Sequence, residues 1–186
     1  MILGLDASTS VVGYTILDEK GNLITVDYIN LSKHKTLVDK SKALKACLES
    51  LLVNYKIDNV YIEDYATKFQ AGMSTANTIT RLASWNGICQ WIVYEVFGLY
   101  TVALNVNQAR KGIGLKILPK KKSGGLSAKE QTIIQVTSVL GDIWPKKVLK
   151  GGLNKGDLVT VKEAEDMADS WVIAKAGFLG VKGEIK

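Results

Sequence analysis

The chain is poor in several residues that would each open a line of explanation. It has one histidine and two cysteines in 186 residues, and no uninterrupted apolar stretch near the roughly 20 residues a membrane span needs. Cys47 and Cys89 both fall in helix-like segments, so reduced, packed thiols in a cytoplasmic setting are expected rather than a disulfide framework. His34 stands alone in a basic stretch, where nothing marks it as a catalytic base or metal ligand, and solvent exposure is expected of it. Met1 leads straight into an apolar run ending at Asp6, with neither a basic leader nor a cleavage-like site, so no signal peptide is read. No internal repeat is found. Gly151-Gly-Leu-Asn-Lys155-Gly lacks the spacing and the following Ser/Thr of a Walker-type P-loop.

What the chain does have is ordinary bulk and an uneven charge. An apolar fraction of 47% and a charged fraction of 23% predict a globular protein, most simply one domain spanning 1–186. The net charge of +6 is concentrated: Arg110 to Lys155 holds eleven Lys/Arg against Glu130 and Asp142, while the remainder is slightly acidic. A one-sided basic segment on an acidic body points to a polyanion, nucleic acid above all. A merely solvated lysine-rich loop is the plainer alternative.

Element signals place this segment. Ile2 to Asp6, Gly13 to Leu17 and Leu23 to Ile29 read as three strands joined by short turns, hence an antiparallel meander. Thr36-x-x-Asp39 opens a helix carrying Leu44, Cys47, Leu48, Leu51 and Leu52. Val60 to Glu63 is a buried strand, about Thr75 to Phe97 a helix with more apolar surface than one stripe needs, and Tyr100 to Val106 another strand. Lys- and Gly-rich insertions follow at about 112–126, expected to be flexible, and 141–159. Ser127-x-x-Glu130 and Thr160-x-x-Glu163 read as capping boxes opening the last two helices.

Four carboxylates give the chain its chemistry. Asp6 and Glu63 each close an apolar strand, and Asp166 and Asp169 share a helix face one turn apart. A buried acid is costly by several kcal/mol unless compensated, and a shared divalent-metal site would compensate all four. Two such ions can activate a water and stabilise the leaving oxygen of a phosphodiester. Singly, each acid has a plainer reading. Asp6 could cap a turn with Ser8 or Thr9, Asp64 could replace Glu63, Glu163 could serve only Thr160, and a helix N-terminus favours acids such as Glu165 and Asp166. Alternation along the strand puts Tyr61 and Glu63 on one side and Val60, Ile62 and Asp64 on the other.

Ile2-Leu-Gly-Leu-Asp6-Ala-Ser-Thr9 with Gly13-Tyr14, Tyr61-Ile-Glu63 and Glu165-Asp166-Met-Ala-Asp169-Ser resemble the motifs of the RuvC family of Holliday-junction resolvases, within the RNase H-like superfamily. The resemblance covers most of the chain. It implies an α/β fold with a mixed five-stranded sheet, three meander strands followed by parallel strands, flanked by helices. It further implies catalytic, metal-holding roles for Asp6, Glu63, Asp166 and Asp169, with two Mg²⁺ ions that Mn²⁺ could replace. Lys111 and Lys129 are expected at phosphates near the scissile bond. Lys68, Arg110 and the Lys120, Lys121, Lys122 run are expected to bind DNA more broadly. Tyr65 and Phe69 are candidates for the aromatic wedge that enters the junction. A homodimer through the helix 75–97 is implied. Asp6 is followed by Ala-Ser-Thr where bacterial members usually have Pro-Gly, and the insertions are long. Both features resemble a phage-type member, acting in the host cytoplasm and not requiring a branch-migration motor.

Three other readings stay open at this level, one of them a nuclease that cuts an RNA strand or a simple fork. Leu3-Gly-Leu-Asp6-x-Ser8-Thr9 also resembles the phosphate-binding hairpin of actin-like sugar kinases, though the chain is too short for their two domains. A non-catalytic branched-DNA-binding protein would keep the basic face without the chemistry.

Overall fold

The computed structural model describes residues 1–65 and 76–185. Strands β1 (Ile2–Ala7), β2 (Val11–Leu17) and β3 (Leu23–Asn30) form the antiparallel meander, with Asp6 opposite Gly13. Helix α1 (Leu37–Asn54) begins where its sequence signal lies: the Thr36 hydroxyl accepts from the Asp39 amide at 3.1 Å. Strand β4 (Asn59–Glu63) runs parallel to β1, helix α2 (Ala76–Phe97) follows, and β5 (Thr101–Leu104) runs parallel to β4. Then come α3 (Val106–Gly112), α4 (Ala128–Leu140), β6 (Lys146–Val148), β7 (Leu158–Thr160), α5 (Ala164–Phe178) and β8 (Glu184–Ile185).

The main sheet has the order β3-β2-β1-β4-β5-β8, so it holds six strands instead of the expected five. β8 pairs antiparallel with β5, and two residues are too few to carry a periodic signal. Gly183 prepares this edge, because a Cβ there would lie 2.5 Å from the Ala103 carbonyl oxygen. Three further expectations are corrected. The strand expected to reach Val106 stops at Leu104, and Asn105 caps α3 by accepting from the Asn107 and Gln108 amides. Thr160 lies in β7, so it makes no capping box with Glu163. The 113–126 loop is clamped, not free. Gln131 holds the Leu118 amide and carbonyl at 2.8 and 2.9 Å, and Gln135 holds those of Lys116 at 3.0 and 3.1 Å.

The sheet divides the core into two apolar clusters. Leu3, Leu5, Val60 and Ile62 pack toward α1 and α2 with Leu44, Leu48 and Trp85. Toward α5 the packing is tighter. A Cβ on Gly4 would lie 2.5 Å from the Ser170 carbonyl oxygen, and one on Gly13 would lie 2.1 Å from that of Asp166. Only glycine allows the α5 backbone so close. The buried Thr15 and Ser170 hydroxyls, 2.8 Å apart, then fix where the helix sits along the strands.

Candidate active site

Asp6 and Glu63 meet because β1 and β4 are parallel neighbours, so both acids emerge at the same edge of the sheet. The expected alternation holds: Tyr61 packs against α5, Val60 and Ile62 face the other way, and the Glu63 carboxyl lies with Asp169. Helix α5, pressed onto Gly4 and Gly13, brings Asp169 over the strand ends. Carboxylate oxygens of Asp6, Glu63 and Asp169 all lie within 4.8 Å of one another. Asp6 is 4% exposed and Asp169 0%. The turn after Asp6 is closed by the Ser8 hydroxyl on Val11, accepting from its amide at 3.0 Å and donating to its carbonyl at 2.7 Å.

Asp166 stands at the rim and joins the group through Lys129, whose ammonium bonds to Asp166, reaches Asp6 at 3.2 Å and lies 3.7 Å from Asp169. The capping box of Ser127 and Glu130, present as its sequence predicts, starts α4 so that Lys129 falls in the first turn. Arg110, expected at DNA, is instead 4% exposed and donates to Asp169 at 2.7 Å. Lys111, the next residue on α3 and expected at a phosphate, is exposed. Adjacent helical residues point about 100° apart, so only one of the two could turn inward. Lys120, Lys121 and Lys122 are exposed on the clamped loop. Tyr65 lines the cleft with Asp6, Glu63 and Lys129; Lys68 and Phe69 lie outside the described residues.

Electrostatics reflect the crowding. Burial, followed by the charge of Asp169, pushes the Glu63 carboxyl up to about 7, against the Asp6 hydrogen bond, Lys129 and Arg110. Burial, then the charge of Glu63, raises Asp6 well above the usual carboxylate range. Asp169 is raised by burial, with Arg110 and Lys129 pulling it back. Burial works against the charge on Lys129, but Asp6, Asp169 and Asp166 outweigh it and raise its ammonium. The donor set suits a hard divalent cation. In particular, among the described residues nothing donates a hydrogen bond to the buried Asp169 Oδ2.

Two supports have no counterpart among the sequence expectations. Asn86, buried on α2, donates to the Glu63 carbonyl at 2.9 Å, just beyond the last β1–β4 pair, Leu5 with Ile62. Gln90 holds Asn86 at 2.7 Å, and Thr101 holds Gln90 at 3.0 Å. Lys40, buried on α1, bonds to the Thr9 carbonyl in the turn after Asp6. A polar residue on the apolar stripe of a helix is the available signal for both. His34, expected to be exposed, is half-buried in the turn before α1.

An acid cluster at the ends of parallel strands, under a closing helix, defines the class: an RNase H-like fold with carboxylates placed as a divalent cation would need them. Thermus thermophilus RuvC superposes with a TM-score of 0.61 in its Holliday-junction complex, at 14% identity over 95% of this chain and 92% of that one. A further Thermus thermophilus RuvC structure gives 0.56 at 17% identity over 95% of this chain and 93% of its own. In sequence, the crossover junction endodeoxyribonuclease RuvC of Aliarcobacter butzleri (strain RM4018) is 31% identical over 117 residues, 61% of this chain and 73% of that protein. No family model matches. The chain belongs to the RuvC family.

Proposed function

We propose that this chain is a metal-dependent, structure-selective endonuclease that cleaves branched DNA, resolving four-way junctions by paired nicks. The observation that carries this reading is the convergence of Asp6, Glu63 and Asp169 within 4.8 Å, with Lys129 and Arg110 of the basic segment in contact with them. The names of the relatives, a crossover junction endodeoxyribonuclease and a RuvC bound to a Holliday junction, support it.

In this reading Asp6, Glu63, Asp166 and Asp169 hold two Mg²⁺ ions, and Mn²⁺ can replace them. When bound, the ions supply Lewis-acid polarisation of the phosphate and a more acidic water. The protein's own groups do the rest. Arg110 orients Asp169 and favours the charged form of its carboxyl against the effect of burial. Lys129 lies at the mouth of the cleft, where its ammonium can neutralise a phosphate oxygen. Asn86 and the Gly4/Gly13 contacts hold Glu63 and α5 in place, since misplacement by about 1 Å can lower the rate a hundredfold.

The chain acts as one nuclease domain of phage type, in the host cytoplasm, with no need of a branch-migration motor. Tyr65 is the described candidate for the wedge. A homodimer forms through α2, whose outward face carries Trp91, 63% exposed, and Tyr94, with the Tyr100 ring tilted against Tyr94 at 5.2 Å. Among the described residues no helix is long and apolar enough to cross a membrane.

The test is a labelled four-way junction incubated with and without Mg²⁺, with cuts mapped on all strands and a linear duplex as control. Paired, metal-dependent nicks at the branch are expected. Binding without nicking in either Mg²⁺ or Mn²⁺ would leave a non-catalytic binder, and tight ATP binding would revive the kinase-like reading.

A further inference from the structure

The segment between α4 and α5 is a built arm that the acid site does not use. Lys146 pairs with Thr160, Lys147 with Val159 and Val148 with Leu158. The ladder continues outward, with the Leu149 amide donating to the Asp157 carbonyl and the Gly156 amide to the Leu149 carbonyl, both at 2.9 Å. Gly152 and Gly156, at φ 81° and 100°, allow the chain to reverse at the tip. A two-stranded hairpin is marginal by itself, and this one adds little to the core: Leu149 and Val159 are half-buried and the rest of its outer part is exposed.

Its base holds it. The buried Trp144 ring donates from its indole N–H to the Thr137 hydroxyl at 2.6 Å, and the Val161 amide donates to the Pro145 carbonyl at 2.9 Å. Successive turns then lead into α5: Ala164 onto Val161 at 3.2 Å, Glu165 onto Lys162 and Asp166 onto Glu163, each at 3.1 Å. The arm is thus joined without slack to the helix that carries Asp166 and Asp169. Its charge is one-sided. Asp142 is engaged by Lys146 at 2.5 Å, which leaves exposed Lys147, Lys150, Lys155 and Lys162 against Asp157 alone. Val148 and Leu158, paired across the ladder, stiffen it.

We propose that the 146–160 hairpin is a second DNA-contacting element, a basic arm whose lysines lie along the phosphate backbone of a duplex flanking the cleaved position. It rests on the reading of the chain as a branched-DNA nuclease. Lysine ammonium groups act as point charges, so the arm adds affinity and position without reading sequence.

Two variants test it: Lys147→Glu/Lys150→Glu/Lys155→Glu, and replacement of 149–157 by an Asn-Gly turn. Junction affinity is measured over a range of salt, cleavage at saturating protein, and melting temperature and sedimentation serve as controls. Affinity in 0.1 M salt is expected to fall at least about tenfold. The slope of log K against log salt should flatten by about 0.9 for each phosphate that the arm no longer neutralises, so by about two or more. Saturated cleavage, melting temperature and oligomeric state should stay at wild-type values. Unchanged affinity and slope in both folded variants would overturn the proposal, as would a change in oligomeric state alone, which would assign the arm to a second copy. Failure of the wild-type protein to bind or cut junctions is a separate result that overturns the nuclease reading itself.

Discussion

The two faces of the main sheet follow opposite packing rules. Toward α1 and α2, bulky side chains such as Leu3, Leu5, Leu48 and Trp85 fill the space. Toward α5, Gly4 and Gly13 remove side chains so that backbone meets backbone, and the Thr15–Ser170 hydrogen bond fixes the position. The first face supplies stability, because apolar burial is non-directional and scales with area. The second supplies placement, because a contact with no room to slide fixes where Asp166 and Asp169 stand relative to Asp6.

Substitutions on each face separate the two roles. The largest effect is expected at the site: Asp6→Asn should lower cleavage at least about a thousandfold, roughly 4 kcal/mol of barrier. Junction affinity should stay within about twofold, and equal loss of both would point to misfolding or a wrong site. Gly13→Val and Leu48→Ala are the mirrored pair. The valine should lift the start of α5, lowering cleavage about a hundredfold while destabilising by about 1–3 kcal/mol. The alanine should cost about 2–5 kcal/mol of stability by denaturant unfolding, with the cleavage rate per folded molecule unchanged. If the alanine variant loses activity while still folded, the division between faces fails.

A smaller effect concerns pH. With its carboxyl at about 7 rather than the ordinary 4.5, Glu63 in the folded, metal-free protein keeps a proton that the unfolded chain releases. Stability should therefore fall as pH rises through that window and level off above it, by something on the order of 2 kcal/mol. Melting metal-stripped protein at pH 5 and pH 8 measures this, and Glu63→Gln should shrink the difference, the raised Asp6 and Asp169 carboxyls accounting for what is left. Asn86→Leu should be milder, about 1–3 kcal/mol for the unpaired Glu63 carbonyl. The Mg²⁺ needed for half-maximal cleavage should rise severalfold with junction affinity unaltered. An unchanged Mg²⁺ requirement would reduce Asn86 to ordinary core support.

These residues also mark how far one dimension reaches. Thr36 with Asp39 and Ser127 with Glu130 are legible because caps are satisfied within a few residues. Thr160 with Glu163 has the same spacing and misleads, because the long-range pairing of Thr160 with Lys146 outweighs the local option. The hairpin around it reads in sequence only as an insertion, since its strands are three residues long and almost wholly exposed. Asn105, an N-cap by residue type, is hidden between the apolar run that precedes it and Val106.

The sequence by itself pointed to Asp6 and Glu63 as acids that need compensation, because a carboxylate that ends an apolar strand is costly whatever the strand packs against. It also determined the meander and the starts of α1 and α4, whose signals are local. Only the tertiary structure decided that Arg110 serves Asp169 while Lys111 faces outward, that Asn86 secures Glu63, and that Asp166 stands at the rim. Each of these depends on which face of a helix meets its neighbour, and that is set by glycine-sized gaps and distant partners rather than by any residue's own preference.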